Sequence, residues 1–274
     1  MSSHTINHWL EIGSTALREV AERPRREAEI LLGSLLHKDR LYLITHGDEE
    51  VQVDDFEQML ERRCDNEPIE YITSRVSFFS QDFYIAEGAL IPRPETELLI
   101  EKLLEKLDMK TEESIVEVGV GSGVISIVLA QHLQEASFLA TDISEDAIII
   151  ARKNLVLKEM DKRISIVQTD LLDGVDRDID ILVSNPPYIE DGIVLGENLS
   201  YEPQNALYGG KVGDEVLQRL IDEAFKRDVR VLACEMGYDQ KNKIEDYCKD
   251  LKYKSLEFYS DYAGHDRGFI LELK

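Results

Sequence analysis

The chain has 274 residues, of which 31 are basic and 55 are acidic, so its formal net charge is −24. With 43% hydrophobic residues, a chain of this length forms one large domain or one medium and one small domain, and it is not a disordered protein. The acidic balance argues against a protein that coats nucleic acid, because phosphate binding depends on clustered Lys and Arg, although it leaves room for a local basic patch.

The cysteines and the apolar segments indicate the cellular environment. Cys64, Cys234 and Cys248 have irregular spacing, which fits neither a disulfide framework nor a zinc site. The first residues lack the basic and apolar regions of a signal peptide, and the longest charge-free stretch, 118–134, is too short and polar to span a bilayer. We expect a cytoplasmic protein with reduced thiols, without a metal site and without membrane association.

The first third of the chain has a helical pattern. Apolar residues over about 6–72 recur at intervals of three and four, which predicts a small helical bundle without strands, assigned to residues 1–75. The segment 76–84 is rich in β-formers and predicts a hairpin. Pro94, followed by two acids, marks the start of a helix. Residues 76–108 are therefore assigned to a hairpin and helix connector.

From Ser114 onward, short apolar runs alternate with helical stretches. Strands that are buried on both faces and separated by helices are typical of a parallel sheet wound on both sides. Only a turn near 264–268 separates the last two strands, so they pair antiparallel. The prediction for residues 109–274 is an α/β fold with a seven-stranded, doubly wound, mostly parallel Rossmann-like sheet, in which one edge strand is reversed.

A glycine-rich loop follows the first of these strands and precedes a helix. Glycines let the backbone turn tightly and approach a ligand, and a helix N-terminus presents free amide groups. A dinucleotide fingerprint would need its third glycine at position 124, which is Val124. The G-x-G-x-G spacing instead matches the loop of S-adenosylmethionine-dependent methyltransferases. The residues assigned here to cofactor binding are Glu117, Gly119, Val120, Gly121, Ser122 and Gly123.

Acidic residues also end the next two strands. Asp142 ends the second strand, where a carboxylate accepts hydrogen bonds from both ribose hydroxyls. The alternative is an N-terminal cap for the helix that starts near Ser144. Asp170 and Leu171 end the third strand, where this architecture holds adenine, and a plain turn acid is an equal alternative.

The segment Asn185-Pro186-Pro187-Tyr188 ends the fourth strand. Two prolines remove two backbone donors, so the carbonyls around them point outward. The Asn185 side-chain oxygen and the Pro186 carbonyl then accept two hydrogens from a planar –NH₂ group, on which Tyr188 stacks. Such a clamp aims the nitrogen lone pair at an electrophile, whereas the alternative is an ordinary Asn-Pro turn. The predicted catalytic residues are Asn185, Pro186, Pro187 and Tyr188.

With these motifs, the chain resembles the release factor glutamine methyltransferases, the PrmC/HemK family. The resemblance covers nearly the whole chain and also includes residues 91–97, 201–203 and 235–237. The segment Pro-Arg-Pro-Glu-Thr-Glu within 91–97 is the most specific to the family. Asn-Pro-Pro-Tyr is shared with enzymes that methylate amino groups on adenine and cytosine.

The resemblance implies methylation of the glutamine side-chain amide in the Gly-Gly-Gln loop of bacterial peptide chain release factors, with S-adenosylmethionine as donor. It implies that residues 119–123 wrap the methionine part, Asp142 binds the ribose and Leu171 flanks the adenine. Residues 185–188 would hold the target glutamine, with Asn185 also beside the cofactor. Release factors are the expected partners, docking on the N-terminal domain, and no direct nucleic-acid binding is expected.

Three positions depart from the family pattern. Gln204 stands where members often have Arg, His265 stands where Arg usually precedes Asp-Arg, and Leu171 replaces a residue that is aromatic in some members. These departures bear on adenine packing or partner contacts, and none lies in the clamp.

Three other functions compete with this interpretation. An adenine amino-group methyltransferase would use the same clamp, but the net charge of −24 and the lack of a large target-recognition domain argue against it. A nucleotide-binding module without catalysis would have a broken clamp. A nicotinamide dehydrogenase is disfavoured by Val124 and by the lack of an evident hydride-transfer pair.

Overall fold

A computed structural model describes residues 3–108, 110 and 112–274, which form two compact units. The N-terminal unit contains the described residues up to Arg75 together with Gly196–Tyr201, and the sheet unit contains Val76–Leu195 and Glu202–Lys274. Across the described part of the chain, the helices are all too short or too polar to cross a membrane.

The N-terminal unit is mainly helical, and Trp9 and Phe56 pack edge to face in its core. The prediction of a bundle without strands is wrong in one respect, because two short strands pair antiparallel. A strand of two residues has no periodicity that a sequence pattern can reveal. The elements are β1 (His4–Thr5), α1 (Ile6–Ala16), α2 (Pro24–Leu36), α3 (Arg40–Thr45), β2 (Glu50–Val51), α4 (Phe56–Cys64), α5 (Ile69–Thr73) and a 3₁₀ turn (Glu197–Tyr201).

The sheet unit alternates strands and helices along most of its length. Its elements are β3 (Arg75–Phe78), β4 (Gln81–Tyr84), α6 (Pro94–Lys106), β5 (Ser114–Val118), α7 (Val124–His132), β6 (Ser137–Asp142), α8 (Glu145–Leu157), β7 (Ile164–Gln168), β8 (Ile181–Ser184), β9 (Ile189–Glu190), a 3₁₀ turn (Gln204–Ala206), β10 (Tyr208–Gly210), α9 (Glu215–Lys226), β11 (Val231–Glu235), α10 (Lys241–Cys248), β12 (Ser255–Ser260) and β13 (Asp266–Glu272).

The predicted hairpin is confirmed. Strands β3 and β4 form a two-stranded sheet of their own. The two residues between them, Phe79 and Ser80, both have positive φ angles, of 50° and 58°. A two-residue turn with both φ angles positive matches the twist of the flanking strands, which makes it a favoured hairpin connection.

The main sheet has seven strands in the order β12-β13-β11-β8-β5-β6-β7. Strands β11, β8, β5, β6 and β7 run parallel to one another, and β13 is antiparallel to both of its neighbours, β11 and β12. The reversed strand was expected at the edge, and this is wrong, since β13 lies inside the sheet. The middle of β13 is buried whereas most of β12 is not, and an edge strand has one side that no other strand covers.

The topology determines where a site forms. From β5 the chain runs outward to β6 and β7, and then returns to β8 on the other side of β5. Ligands in open α/β sheets bind at such a switch point, outside the carboxyl ends of the strands. Val118 of β5 pairs with Ser184 of β8 and with Thr141 of β6. The segments that follow these three residues therefore meet at one edge.

Candidate active site

A cavity of about 350 Å³ lies at this edge of the sheet unit. Of the predicted site residues, Gly123 and Tyr188 do not belong to the described lining. Gly123, with φ of 84°, is the residue before α7, where an added Cβ would lie 3.4 Å from the Cβ of Ala151. The predicted residues that do line the cavity are Glu117, Gly119, Val120, Gly121, Ser122, Asp142, Asp170, Leu171, Asn185, Pro186 and Pro187.

The glycine loop is held to the neighbouring strand by its backbone. The amides of Gly119 and Val120 donate to the carbonyl of Thr141, at 2.8 and 2.9 Å. Gly121 has a positive φ of 52°, and a Cβ built on it would meet nothing within 4 Å. The backbone at Gly121 is thus open to the cavity, as a loop that closely approaches a ligand requires.

Glu117 is buried at the start of this loop. Its Oε2 accepts hydrogen bonds from the amide of Ser126, at 2.9 Å, and from the Ser126 hydroxyl, whereas Oε1 is buried without a partner among the described residues. Burial raises the pKa of Glu117 to about 8, against the lowering effect of the Ser126 hydrogen bonds. A positive group beside Oε1 would favour the carboxylate. This wall of the cavity therefore fits a cationic ligand, and S-adenosylmethionine carries a sulfonium and an ammonium group.

Asp142 joins the glycine loop to the start of α8. Its Oδ2 accepts from the amide of Gly121 and its Oδ1 from the amide of Ser144, both at 2.9 Å. Burial raises the pKa of Asp142, whereas the backbone hydrogen bonds lower it. The N-cap of α8 is Ser144, whose hydroxyl accepts from the amide of Ala147. Asp142 is therefore not the helix cap, and its carboxylate keeps acceptor capacity for a ligand hydroxyl.

Asp170 and Leu171 form another part of the wall. Asp170 accepts a hydrogen bond from Arg219 at 2.8 Å in an exposed ion pair. Leu171 has a positive φ of 47°, and its carbonyl accepts from the Thr141 hydroxyl at 2.8 Å. A bulky residue in this conformation is uncommon, so the Thr141 hydrogen bond helps to hold Leu171 at the cavity.

The clamp segment belongs to a buried hydrogen-bond chain. Asn185 Nδ2 donates to Thr96 Oγ1 at 3.0 Å, and Thr96 Oγ1 donates to Glu235 Oε2 at 2.7 Å. The Tyr188 hydroxyl donates to Glu235 Oε1 at 3.2 Å. The structure thus directs Tyr188 towards Glu235, and the stacking of its ring on a substrate stays a prediction.

The backbone of the clamp is supported from two sides. A Cβ built on Gly209 of β10 would lie 2.5 Å from the Pro187 carbonyl oxygen. Gln240 Nε2 donates to the Tyr188 carbonyl at 2.9 Å and to the Gly213 carbonyl at 3.0 Å. These contacts fix the position of residues 186–188 relative to β10 and α10.

Thr96, Arg219 and Glu235 were not predicted as site residues. Thr96 and Glu235 lie in segments that carried the family resemblance, and this resemblance was the one sequence feature that could have identified them as site residues. They are 139 residues apart in sequence, so no local spacing joins them. Arg219 lies on the amphipathic helix α9, where an exposed cation has no distinguishing pattern.

Comparison with known proteins defines the class. Residues 95–206 match the family model of the methyltransferase small domain, and residues 8–73 match that of the PrmC N-terminal domain. A methyltransferase from Pyrococcus furiosus has a similar fold, with a TM-score of 0.54 and 20% identity over 80% of this chain and 98% of that one. The ribosomal protein L11 methylase from Lactobacillus delbrueckii has a TM-score of 0.51 and 23% identity. The match covers 69% of this chain and 84% of the methylase. The protein is a methyltransferase.

Curated relatives define the family. The release factor glutamine methyltransferase of Moorella thermoacetica is 36% identical over 91% of both chains. The enzyme of Clostridium botulinum is 32% identical over 88% of this chain and 89% of the relative. The enzyme of Buchnera aphidicola subsp. Schizaphis graminum is 33% identical over 96% of this chain and 97% of the relative. The chain belongs to the release factor glutamine methyltransferase family, which confirms the resemblance stated from its motifs.

Proposed function

We propose that this protein transfers a methyl group from S-adenosylmethionine to the side-chain amide nitrogen of the glutamine in the Gly-Gly-Gln loop of peptide chain release factors. Family membership supports the reaction. The observation that carries the proposal is that the glycine loop and Asn185 line one cavity, because they follow the adjacent strands β5 and β8. A methyl donor and an amide acceptor bound at these two segments would be in contact.

The cofactor would lie along the glycine loop. Glu117 would face its positive charge, Asp142 would accept from the ribose hydroxyls, and Leu171 with Asp170 would border the adenine. When bound, the cofactor supplies an electrophilic methyl group on sulfur. The orphaned Oε1 of Glu117 and the open backbone of Gly121 support this placement.

The acceptor would be held by the clamp. The Asn185 side-chain oxygen and the Pro186 carbonyl would accept the two amide hydrogens, which draws the nitrogen lone pair out of conjugation and aims it at the methyl group. An amide nitrogen is a poor nucleophile, so positioning must supply most of the rate. Holding two reactants in near-attack geometry contributes roughly 7–11 kcal/mol in favourable cases.

The proposal has a direct test. Mass spectrometry of a release factor incubated with the protein and methyl-deuterated S-adenosylmethionine should locate a labelled methyl group on the glutamine of the Gly-Gly-Gln loop. Asn185→Ala should lower single-turnover methylation about a hundred- to a thousandfold, by analogy with the loss of one oxyanion donor, while cofactor affinity is retained. Labelling of an adenine-containing oligonucleotide in place of the release factor would contradict the proposal.

The proposal also includes the partners and the location. Release factors would be the protein substrates, reached in the cytoplasm. The formal net charge of −24 supports a protein substrate over a nucleic acid.

A further inference from the structure

The chain of groups behind Asn185 has a defined direction of hydrogen donation. Glu235 is fully buried, and its two oxygens are each bound to a hydroxyl, that of Thr96 and that of Tyr188. A carboxylate only accepts hydrogen bonds, and a hydroxyl has one hydrogen to donate. When Glu235 is ionised, Thr96 therefore gives its hydrogen to Glu235, and its oxygen can only accept from Asn185.

This direction fixes the amide of Asn185. An Asn side chain has a donor end and an acceptor end of nearly equal shape, and the hydrogen-bond network decides which way it is turned. Because Thr96 can only accept, the –NH₂ end of Asn185 faces Thr96. The Oδ1 end is left as an acceptor that has no donor among the described residues.

We propose that Thr96 and Glu235 are positioning residues that hold Asn185 with its side-chain oxygen available to the substrate, so that the site selects an acceptor group with N–H donors. This inference rests on the proposed function, because it assigns roles within the same site. Neither residue touches the substrate in this scheme. They act by preventing the Asn185 amide from turning over.

The surroundings of Glu235 make this arrangement sensitive to pH. Burial, and to a smaller extent the nearby Glu95, raise the pKa of Glu235, whereas the hydrogen bonds from Thr96 and Tyr188 and the charge of Arg267 lower it, with a net value of about 7. The Tyr259 hydroxyl is buried close by, and its pKa is raised first by burial and then by the charge of Glu235.

Protonation of Glu235 would reverse the direction of donation. A protonated carboxyl can donate to Thr96, which frees the Thr96 hydrogen for Asn185 Oδ1 and turns the –NH₂ end towards the substrate. The rate of methyl transfer should therefore fall as pH drops below about 7, where Glu235 becomes protonated.

The first experiment compares Thr96→Val with Thr96→Ser. Valine keeps the branched shape but removes the hydroxyl, and serine keeps the hydroxyl. Thr96→Val should lower kcat about 10- to 100-fold, as loss of an outer orienting partner does in metal sites, with cofactor affinity unchanged. The rate of the Thr96→Val variant should also no longer fall as the pH drops below about 7. Thr96→Ser should retain both the rate and the decline.

A second experiment measures the orientation of the Asn185 side-chain amide independently of catalysis. In protein labelled with ¹⁵N-asparagine, the Asn185 side-chain signals are identified by their loss in Asn185→Asp. At a pH above about 7, where Glu235 is ionised, one proton should exchange slowly with water in the wild type and in Thr96→Ser, and quickly in Thr96→Val. Circular dichroism of each variant checks that it is folded.

The two readouts separate the two proposals. Fast exchange in the wild type, or a Thr96→Val variant with the wild-type kcat and pH profile, would overturn the positioning role. A wild-type protein that protects the Asn185 proton but methylates no glutamine would support the positioning role and refute the proposed function.

Discussion

Two glutamates beside the cavity have pKa values raised chiefly by burial, Glu117 to about 8 and Glu235 to about 7. A carboxyl with a folded-state pKa above its unfolded value of about 4.5 binds its proton more tightly in the folded protein. The unfolded chain releases that proton first as pH rises, so the protein loses stability from about pH 4.5 up to the folded pKa. The site thus carries a stability cost that a cationic ligand at Glu117 would offset.

Glu117→Gln isolates the contribution of this residue. Glutamine keeps an oxygen for the Ser126 hydrogen bonds and carries no charge, so the ligand-free variant should lose less stability than the wild type between pH 4.5 and 8. Urea unfolding at several pH values measures the difference in the free energy of unfolding, which should grow with pH. Parallel profiles for the two proteins would contradict the assignment.

Asp142 has a proposed ligand role and an observed structural role that substitution can separate. Asp142→Ala should weaken S-adenosylmethionine binding by roughly 1.5–3 kcal/mol, the contribution of a charge-assisted hydrogen bond. It should also destabilise the fold, because the amides of Gly121 and Ser144 lose their acceptor.

Asp142→Asn is the matched control. It keeps one oxygen as a backbone acceptor without the charge, so it should recover part of the stability but little of the affinity. Calorimetry measures the affinity and thermal unfolding measures the stability. Unchanged affinity in Asp142→Ala would refute the ribose role.

At the scale of elements, short supports hold the clamp in place. Strand β10 packs so closely on the clamp that a Cβ on Gly209 would meet the carbonyl oxygens of Pro187 and Gly213 at 2.5 Å each. Backbone atoms cannot move aside as the end of a flexible side chain can. Gly209 therefore limits the distance between β10 and the clamp.

Gly209→Ala should displace the clamp. We expect a loss of about 1–3 kcal/mol in stability, as for other overpacked sites, and a fall in methyl transfer with little change in cofactor affinity. Gly196→Ala is a suitable control, because its Cβ would meet only the flexible side chain of Asn198 at 3.0 Å. The control should change stability by less than about 0.5 kcal/mol. Equal effects of the two substitutions would contradict the close approach.

At the scale of the whole molecule, the cavity belongs to the sheet unit alone. None of the residues that line it lies in the N-terminal unit. The N-terminal unit exposes the apolar side chains of Leu41 and Ile44 on α3. The division of the chain into segments 1–75, 76–108 and 109–274, and docking of the substrate on the first, stay predictions.

Deletion of residues 1–73 tests this division. Because the cavity is built elsewhere, the truncated protein should bind S-adenosylmethionine as the full chain does. It should methylate a short Gly-Gly-Gln peptide at nearly the full rate but a whole release factor much more slowly. Circular dichroism checks folding, since Gly196–Tyr201 loses its packing partners. Equal losses on the two substrates would contradict a docking role.

The sequence determined the features that depend on near neighbours. Hydrophobic periodicity identified the helices, the hairpin and the strand–helix alternation, and the motifs located the glycine loop, Asp142 and Asn185. Such patterns are readable because backbone preferences and the alternation of buried and exposed positions act within a few residues.

Only the tertiary structure decided how distant segments meet. It placed β13 inside the sheet, paired β1 with β2, turned Tyr188 towards Glu235 and joined Thr96 to Glu235 across 139 residues. A hydrogen bond of this kind depends on where two elements pack against each other, and local pattern does not contain that information. The sequence therefore located most of the residues that line the cavity, and the packing of α6 against β11 decided how the clamp is oriented.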